Sequence, residues 1–203
     1  MAYRRTPAVQ ARLDAQAGSI VRAAMTVLSR DGFAGLSMAA VAAEAAVATG
    51  TVYKTFRGKA ELVTAVFREV VTGEVAAVAA AGNTDGAGKT ARERVTAAVE
   101  TFAGRALKNP KLAYVLLAEP VDAAVDTERL RFRRAFAETF ESAVAEGVAT
   151  GQLPPQDPRT SATALVGAIG EVLVGPLAEQ LESESVVPEL VAFALRALGV
   201  PQE

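Results

Sequence analysis

The chain of 203 residues has no cysteine and no histidine. Lacking cysteine, it can form no disulfide, no thiol nucleophile and no thiolate metal site. Lacking histidine, it cannot build Ser-His-Asp or Cys-His catalysis or the usual zinc sites. Carboxylate chemistry is what remains for an enzyme, and no metal or cofactor set is evident. Absence of cysteine fits a cytoplasmic protein. Aromatic residues make up only 5% of the chain, and no segment alternates apolar and polar residues for long. The hydrophobic fraction is 51%, largely alanine, which favours helix. The chain therefore reads as all-α. Long apolar runs are also scarce. The most apolar stretch, 162–178, contains Glu171 and Pro176 and falls short of the ~20 residues a membrane span needs. It reads as a buried interface helix. The opening MAYRRTP is too short and polar for a signal peptide.

What is present is unevenly charged. The net charge is −2, but residues 1–60 hold eight Lys/Arg against three Asp/Glu, leaving 13 cations and 20 anions beyond them. A basic end on an acidic body suggests a polyanionic partner at that end.

Helical periodicity and stop signals predict about nine helices. The first spans Arg12 to Arg30, with Leu13, Ala17, Ile20, Ala24 and Val27/Leu28 as its stripe, and stops at Asp31-Gly32. Ser37 caps a second over Met38–Ala45, and a short third covers Ala48–Phe56 before Arg57-Gly58 breaks it. This outline is a helix-turn-helix within residues 1–57. Residues 58–203 form a second unit. In it a long fourth helix runs from Lys59 to Ala81, and others cover Ala91–Lys108, Pro110–Glu119, Thr127–Thr150 (Asp126 as cap), Asp157–Leu181 and Val186–Leu198. The loop GNTDGAGKT from Gly82 to Thr90 superficially suggests a phosphate loop. Its first glycine is missing at Asn83, and a helix rather than a strand precedes it, so it reads as a connector.

On a wheel of the third helix, Val52 and Phe56 face inward. Gly50 and Lys54 lie opposite, flanked by Thr51 and Tyr53, with Thr49 in the first turn. A glycine there costs about 1 kcal/mol of helix stability and makes sense where something must approach the backbone. Threonine can bond base edges or touch a thymine methyl, lysine suits guanine, and tyrosine positions the protein on phosphate. Lys59 and Ser37 stand at helix starts, where backbone amides can hold phosphate. The alternative is a solvated amphipathic helix in an ordinary bundle.

The segment from Arg22 to Phe67 resembles the DNA-binding domain of TetR-family transcriptional repressors. The matching residues are Asp31-Gly32-Phe33, Ser37-Met38, the run Thr49-Gly50-Thr51-Val52-Tyr53-Lys54-Thr55-Phe56, Gly58-Lys59 and Glu61-Leu62. Two positions depart from the family pattern. Ala46 stands where glycine is usual, and Ala48 where serine or threonine is frequent. A left-handed Ala46 would cost roughly 1–2 kcal/mol, and a missing hydroxyl cap about 1 kcal/mol. The resemblance implies a homodimer on palindromic operator DNA, with Arg4, Arg5 and Arg12 near phosphate or the minor groove. A basic tail free of DNA is the alternative for these arginines.

The resemblance further implies that the body binds an effector and dimerises. Helices eight and nine (about 157–199) are too apolar to lie exposed and are rich in small residues, which suits a four-helix interface. Phe102, Tyr114, Leu117, Phe132, Phe136 and Phe140 are candidate cavity residues, although such a stripe also reads as plain core. Glu171 is expected to be buried and paired, or to meet a ligand group. Arg129, Arg131, Arg133 and Arg134 read as a solvated face, with Arg134–Glu138 an i, i+4 pair. The sequence thus points to a ligand-responsive, non-enzymatic DNA-binding repressor with a small apolar effector. A helical small-molecule-binding dimer and an enzyme using Glu119, Asp122 or Glu171 are the rivals.

Overall fold

Thr6 opens the first helix, α1 (Pro7–Gly35), by accepting the Val9 amide on Oγ1 at 3.4 Å, and Pro7 occupies the first turn, where no amide hydrogen is needed. The helix therefore starts earlier than its apolar stripe implies. These added turns stand clear of the body. Residues 7–16 are exposed, Leu13 included, and the stripe that packs begins around Ile20 and runs through Ala24, Val27 and Leu28. Gly32 at φ 69° kinks the helix where a stop was expected, and one further turn follows to Gly35.

The computed structural model describes residues 6–83, 89–119, 123–179 and 186–200, and among them contains nine helices and no strand. After α1 come α2 (Met38–Glu44), α3 (Thr49–Thr55), α4 (Lys59–Asn83), α5 (Ala91–Lys108), α6 (Pro110–Leu117), α7 (Ala123–Ala149), α8 (Pro158–Glu179) and α9 (Val186–Ala197). The all-α expectation and the helix order hold. Of the connector Gly82–Thr90, α4 takes the start, residues 84–88 lie outside the described residues, and Thr90 forms a reciprocal capping box with Glu93 on α5. Asp122 also lies outside them. Helix α7 begins at Ala123, so Asp126 is no cap. It sits in the first turn and pairs with Arg129 at 2.8 Å.

Two apolar cores share the helices. The first joins α1, α2 and α3 to the opening of α4 through Leu62, Val66 and Phe67, and adds Leu112, Val115 and Leu116 of α6. The second is built from α5, α7, α8 and α9 around Phe136, Ile169, Leu173 and Leu190. Helix α4 passes through both, and α6 is clasped to α1. Asn109 Nδ2 donates to Ser29 Oγ at 2.9 Å, and Lys111 Nζ donates to the Arg30 carbonyl at 2.6 Å.

In the arginine run on α7, Arg131, Arg133 and Arg134 are exposed, as a solvated face requires, and Arg129 departs from it. Arg129 is half-buried, and Arg131 and Arg68 of α4 converge on Glu128, the one buried charged residue among those described. Arg68 donates to Glu128 Oε1 from Nε and Nη2 at 3.1 and 2.7 Å, and Arg131 donates at 2.7 Å. The Arg68 hydrogen bond holds the Glu128 carboxyl below the ordinary glutamate value, against the opposing effect of burial. Arg134 and Glu138 are both exposed and form no ion pair, as expected where water competes for each charge.

Candidate nucleic-acid interface and ligand cavity

The turn between α2 and α3 is tight. The Ala46 and Val47 amides donate back to the carbonyls of Ala43 and Ala42 at 3.2 and 3.0 Å. Closing it places Ala46 at φ 53°, the one non-glycine residue with positive φ among those described. Ala48 then occupies the N-cap position of α3 with no side-chain hydrogen bond. Both departures noted in the sequence thus coincide with the entry to α3.

Val52 and Phe56 are buried and seat α3 on the first core. The opposite face presents Thr49, Gly50, Tyr53 and Lys54, all exposed, with Tyr53 at 54%. Thr51 is half-buried, and its carbonyl accepts the Thr55 hydroxyl at 3.0 Å. A Cβ built on Gly50 meets nothing within 4 Å, so the gap faces outward rather than serving internal packing. Hydroxyls, a phenol and a cation on an open helix face offer the hydrogen-bonding groups that base edges and phosphates require.

The flanking residues divide. Ser37 is exposed, and its Oγ accepts the Ala40 amide at 3.0 Å, which leaves its hydrogen to donate outward. Lys59 is half-buried: Nζ donates to the Phe33 carbonyl at 2.8 Å and lies 3.8 Å from the Phe33 ring centroid. It pins the start of α4 to the end of α1. Glu61 already occupies that helix start, accepting the Arg57 amide on Oε2 at 2.7 Å. Arg12 is exposed on the projecting turns of α1, and Arg4 and Arg5 lie outside the described residues.

In the body, a cavity of about 350 Å³ lies between α5, α6, α7 and α8. Of the seven residues singled out by sequence, Phe102, Leu117, Phe132, Phe136, Phe140 and Glu171 line it. Three rings form a cluster: Phe102–Phe136 at 4.7 Å and Phe132–Phe136 at 4.5 Å, both edge-to-face. Tyr114 is half-buried against the second core and outside the lining. Glu171 is exposed rather than buried, and no described residue pairs with it. On α8 it points to the same side as other residues left bare by the single chain, so its apolar neighbours in sequence were a poor guide to its burial.

Sequence reasoning missed Arg129 and Arg133, which also line the cavity. The signal was available: Arg129, Phe132, Arg133, Phe136 and Phe140 follow helical spacing on one face. Arg129 donates to the α6 end at the carbonyls of Leu116 (2.9 Å), Val115 (3.0 Å) and Glu119 (2.7 Å). Desolvation holds its guanidinium below the usual arginine value, opposed by Asp126 and reinforced by Arg133. No group of three or more potential metal ligands occurs among the described residues.

Residues 20–66 match the family model described as bacterial regulatory proteins, tetR family, and residues 88–173 match that of a tetracyclin repressor-like C-terminal domain. No curated protein matches the chain. Among solved structures, the fatty acid degradation regulator FadR from Bacillus halodurans is 18% identical, with a TM-score of 0.77 and 97% of each chain covered. FadR from Bacillus subtilis in complex with stearoyl-CoA is 17% identical, with a TM-score of 0.74, covering 91% of this chain and 99% of that one. A TetR transcription regulator from Haloarcula marismortui is 16% identical, with a TM-score of 0.78, covering 92% and 97%. At such identities the likeness is one of fold.

Proposed function

Because the chain belongs to the tetR family of bacterial regulatory proteins, we propose that it is a cytoplasmic, ligand-responsive repressor that leaves a palindromic operator when a small apolar effector binds its body. The observation that carries this reading is the α3 surface. Four adjacent exposed positions, Thr49, Gly50, Tyr53 and Lys54, offer polar and cationic groups around an open gap, while Val52 and Phe56 anchor the helix behind them. Ser37, Thr51 and Lys59 frame that surface, and Arg4 and Arg5, which lie outside the described residues, are assigned to DNA by the family resemblance alone. Lys59 acts mainly by fixing α4 to α1, so its contribution to DNA runs through the angle at which α3 is held.

Dimerisation runs through α8 and α9. Less than a third of the apolar window in α8 is buried against its own chain, and Val172 and Phe193 are 49% and 40% exposed. Gly167, Gly175, Ala164 and Ala178 on the bare side let a second copy approach closely. Two recognition helices then address half-sites about 34–36 Å apart. An effector between Phe102, Phe132, Phe136 and Phe140 favours a state in which α4 has swung, and the helices no longer match the half-sites. This requires different affinities of the effector for the two states.

A gel shift on DNA flanking the protein's own gene, repeated at rising salt, tests the reading. Specific binding that weakens steeply with salt is expected, together with loss of the shift in Lys54→Ala and Tyr53→Ala. No specific shift for the wild type, or unchanged shifts for both variants, refutes it. The rivals, an enzyme and a small-molecule-binding dimer without DNA binding, predict that outcome.

A further inference from the structure

A second and larger cavity, about 520 Å³, lies where the DNA-binding unit meets the body. It adjoins the phenylalanine cavity, since Phe102, Leu117 and Phe132 border both. Both volumes fall within the range of small-molecule sites. Its floor is apolar, formed by Met25, Val70, Leu112 and Leu116 among others, and its rim is charged. Arg105 and Glu74 on the rim satisfy each other through two hydrogen bonds of 2.6 and 2.7 Å. Among the described residues, Arg22 of α1 and Lys108 of α5 are then left as exposed cations with no hydrogen-bond or ion-pair partner, against one carboxylate unpaired among them, Glu69. Asn109, also on the rim, spends its side chain on Ser29 rather than capping α6.

An apolar floor that continues into a ring of phenylalanines, below a rim with surplus positive charge, suits one class of ligand. We propose that the effector is an elongated anionic amphiphile. Its apolar body crosses the shared Phe102–Leu117–Phe132 wall, and its acid group is held at the α1–α5–α6 seam by Arg22 and Lys108. This rests on the effector-responsive reading above and replaces its wholly apolar effector with one that carries an acid group. It also supplies a route for the response. Arg22 belongs to the helix that carries the first core, whereas Lys108 belongs to the body, so an anion held by both fixes the angle between the two units.

The test uses the full-length protein with decanoate and decan-1-ol, which share a chain and differ in the head group. Calorimetric titration is expected to show decanoate binding roughly tenfold or more tightly than the alcohol, as charge-assisted hydrogen bonds supply. Arg22→Gln and Lys108→Gln, both at exposed positions, should fold normally and bring decanoate towards the alcohol's affinity. Equal binding of the two compounds, a preference that both variants leave intact, or binding of neither overturns the proposal. Operator displacement followed in parallel separates the two readings. If a neutral aromatic probe such as naphthalene releases the operator while decanoate shows no preference, only the anionic assignment fails. If decanoate binds with the expected preference and operator affinity stays unchanged, the effector reading itself fails.

Discussion

Replacing Ala46 with glycine should stabilise the protein, although alanine is the better helix former. Ala46 is held at φ 53° between two backbone hydrogen bonds, from its own amide to Ala43 and from the Val47 amide to Ala42. A left-handed alanine costs roughly 1–2 kcal/mol. Glycine removes that strain and adds unfolded-chain freedom worth about 0.4–1 kcal/mol in the opposite direction. The net gain is about 0.5–1 kcal/mol, which for a chain of this size raises the melting temperature by roughly 1–4 °C. Ala43, exposed three residues earlier and helical, is the control. Glycine there should lower stability by about 0.5–1 kcal/mol. The assay is thermal melting by far-UV circular dichroism, at one protein concentration because dimerisation shifts the midpoint. An unchanged or lowered midpoint for Ala46→Gly, or the same sign for both variants, would refute the reasoning.

Other consequences follow from named contacts. Ala48→Ser should give α3 the side-chain cap it lacks and add about 0.5–1 kcal/mol in the same melting assay. Glu128→Ala removes the α4–α7 tie. Because both arginines remain solvated once released, the loss should be about 1–2 kcal/mol by urea denaturation. Glu128 has a depressed native pKa, so its contribution is present above the ordinary glutamate value and lost as pH falls through the native one. The wild type should therefore lose more stability on acidification than Glu128→Ala does, which melts across that range can measure. Phe136→Ala empties the centre of the ring cluster, where the side chain is 2% exposed, and should cost about 3–5 kcal/mol.

The parts legible in the sequence were those written in short-range signals. Ser37 and the inward pair Val52–Phe56 specify the helix-turn-helix, and the structure keeps both in those roles, while Gly32 marks a kink rather than the end of α1. The start of α1 was also written, in Thr6-Pro7, but the turns it opens are exposed and carry no apolar stripe to announce them. Long-range polar partners were not legible. Lys59 meets Phe33 across 26 residues and Arg68 meets Glu128 across 60, and no local pattern encodes either pairing. Glu171 misled for a different reason. An apolar helix implies burial of everything on it, yet α8 leaves one side bare within a single chain.

The central claim, that the open face of α3 is where DNA docks, is most directly tested at Gly50. A leucine there has room in the free protein, since nothing lies within 4 Å of an added Cβ, and leucine is the better helix former by about 0.5–1 kcal/mol. Fluorescence anisotropy of labelled DNA flanking the gene, titrated with wild type and Gly50→Leu at matched salt, reads the outcome. The account predicts that the variant melts no lower than the wild type but binds its operator at least roughly tenfold more weakly, because the side chain fills the gap through which the backbone approaches the groove. A folded Gly50→Leu protein that binds operator as tightly as the wild type would contradict it.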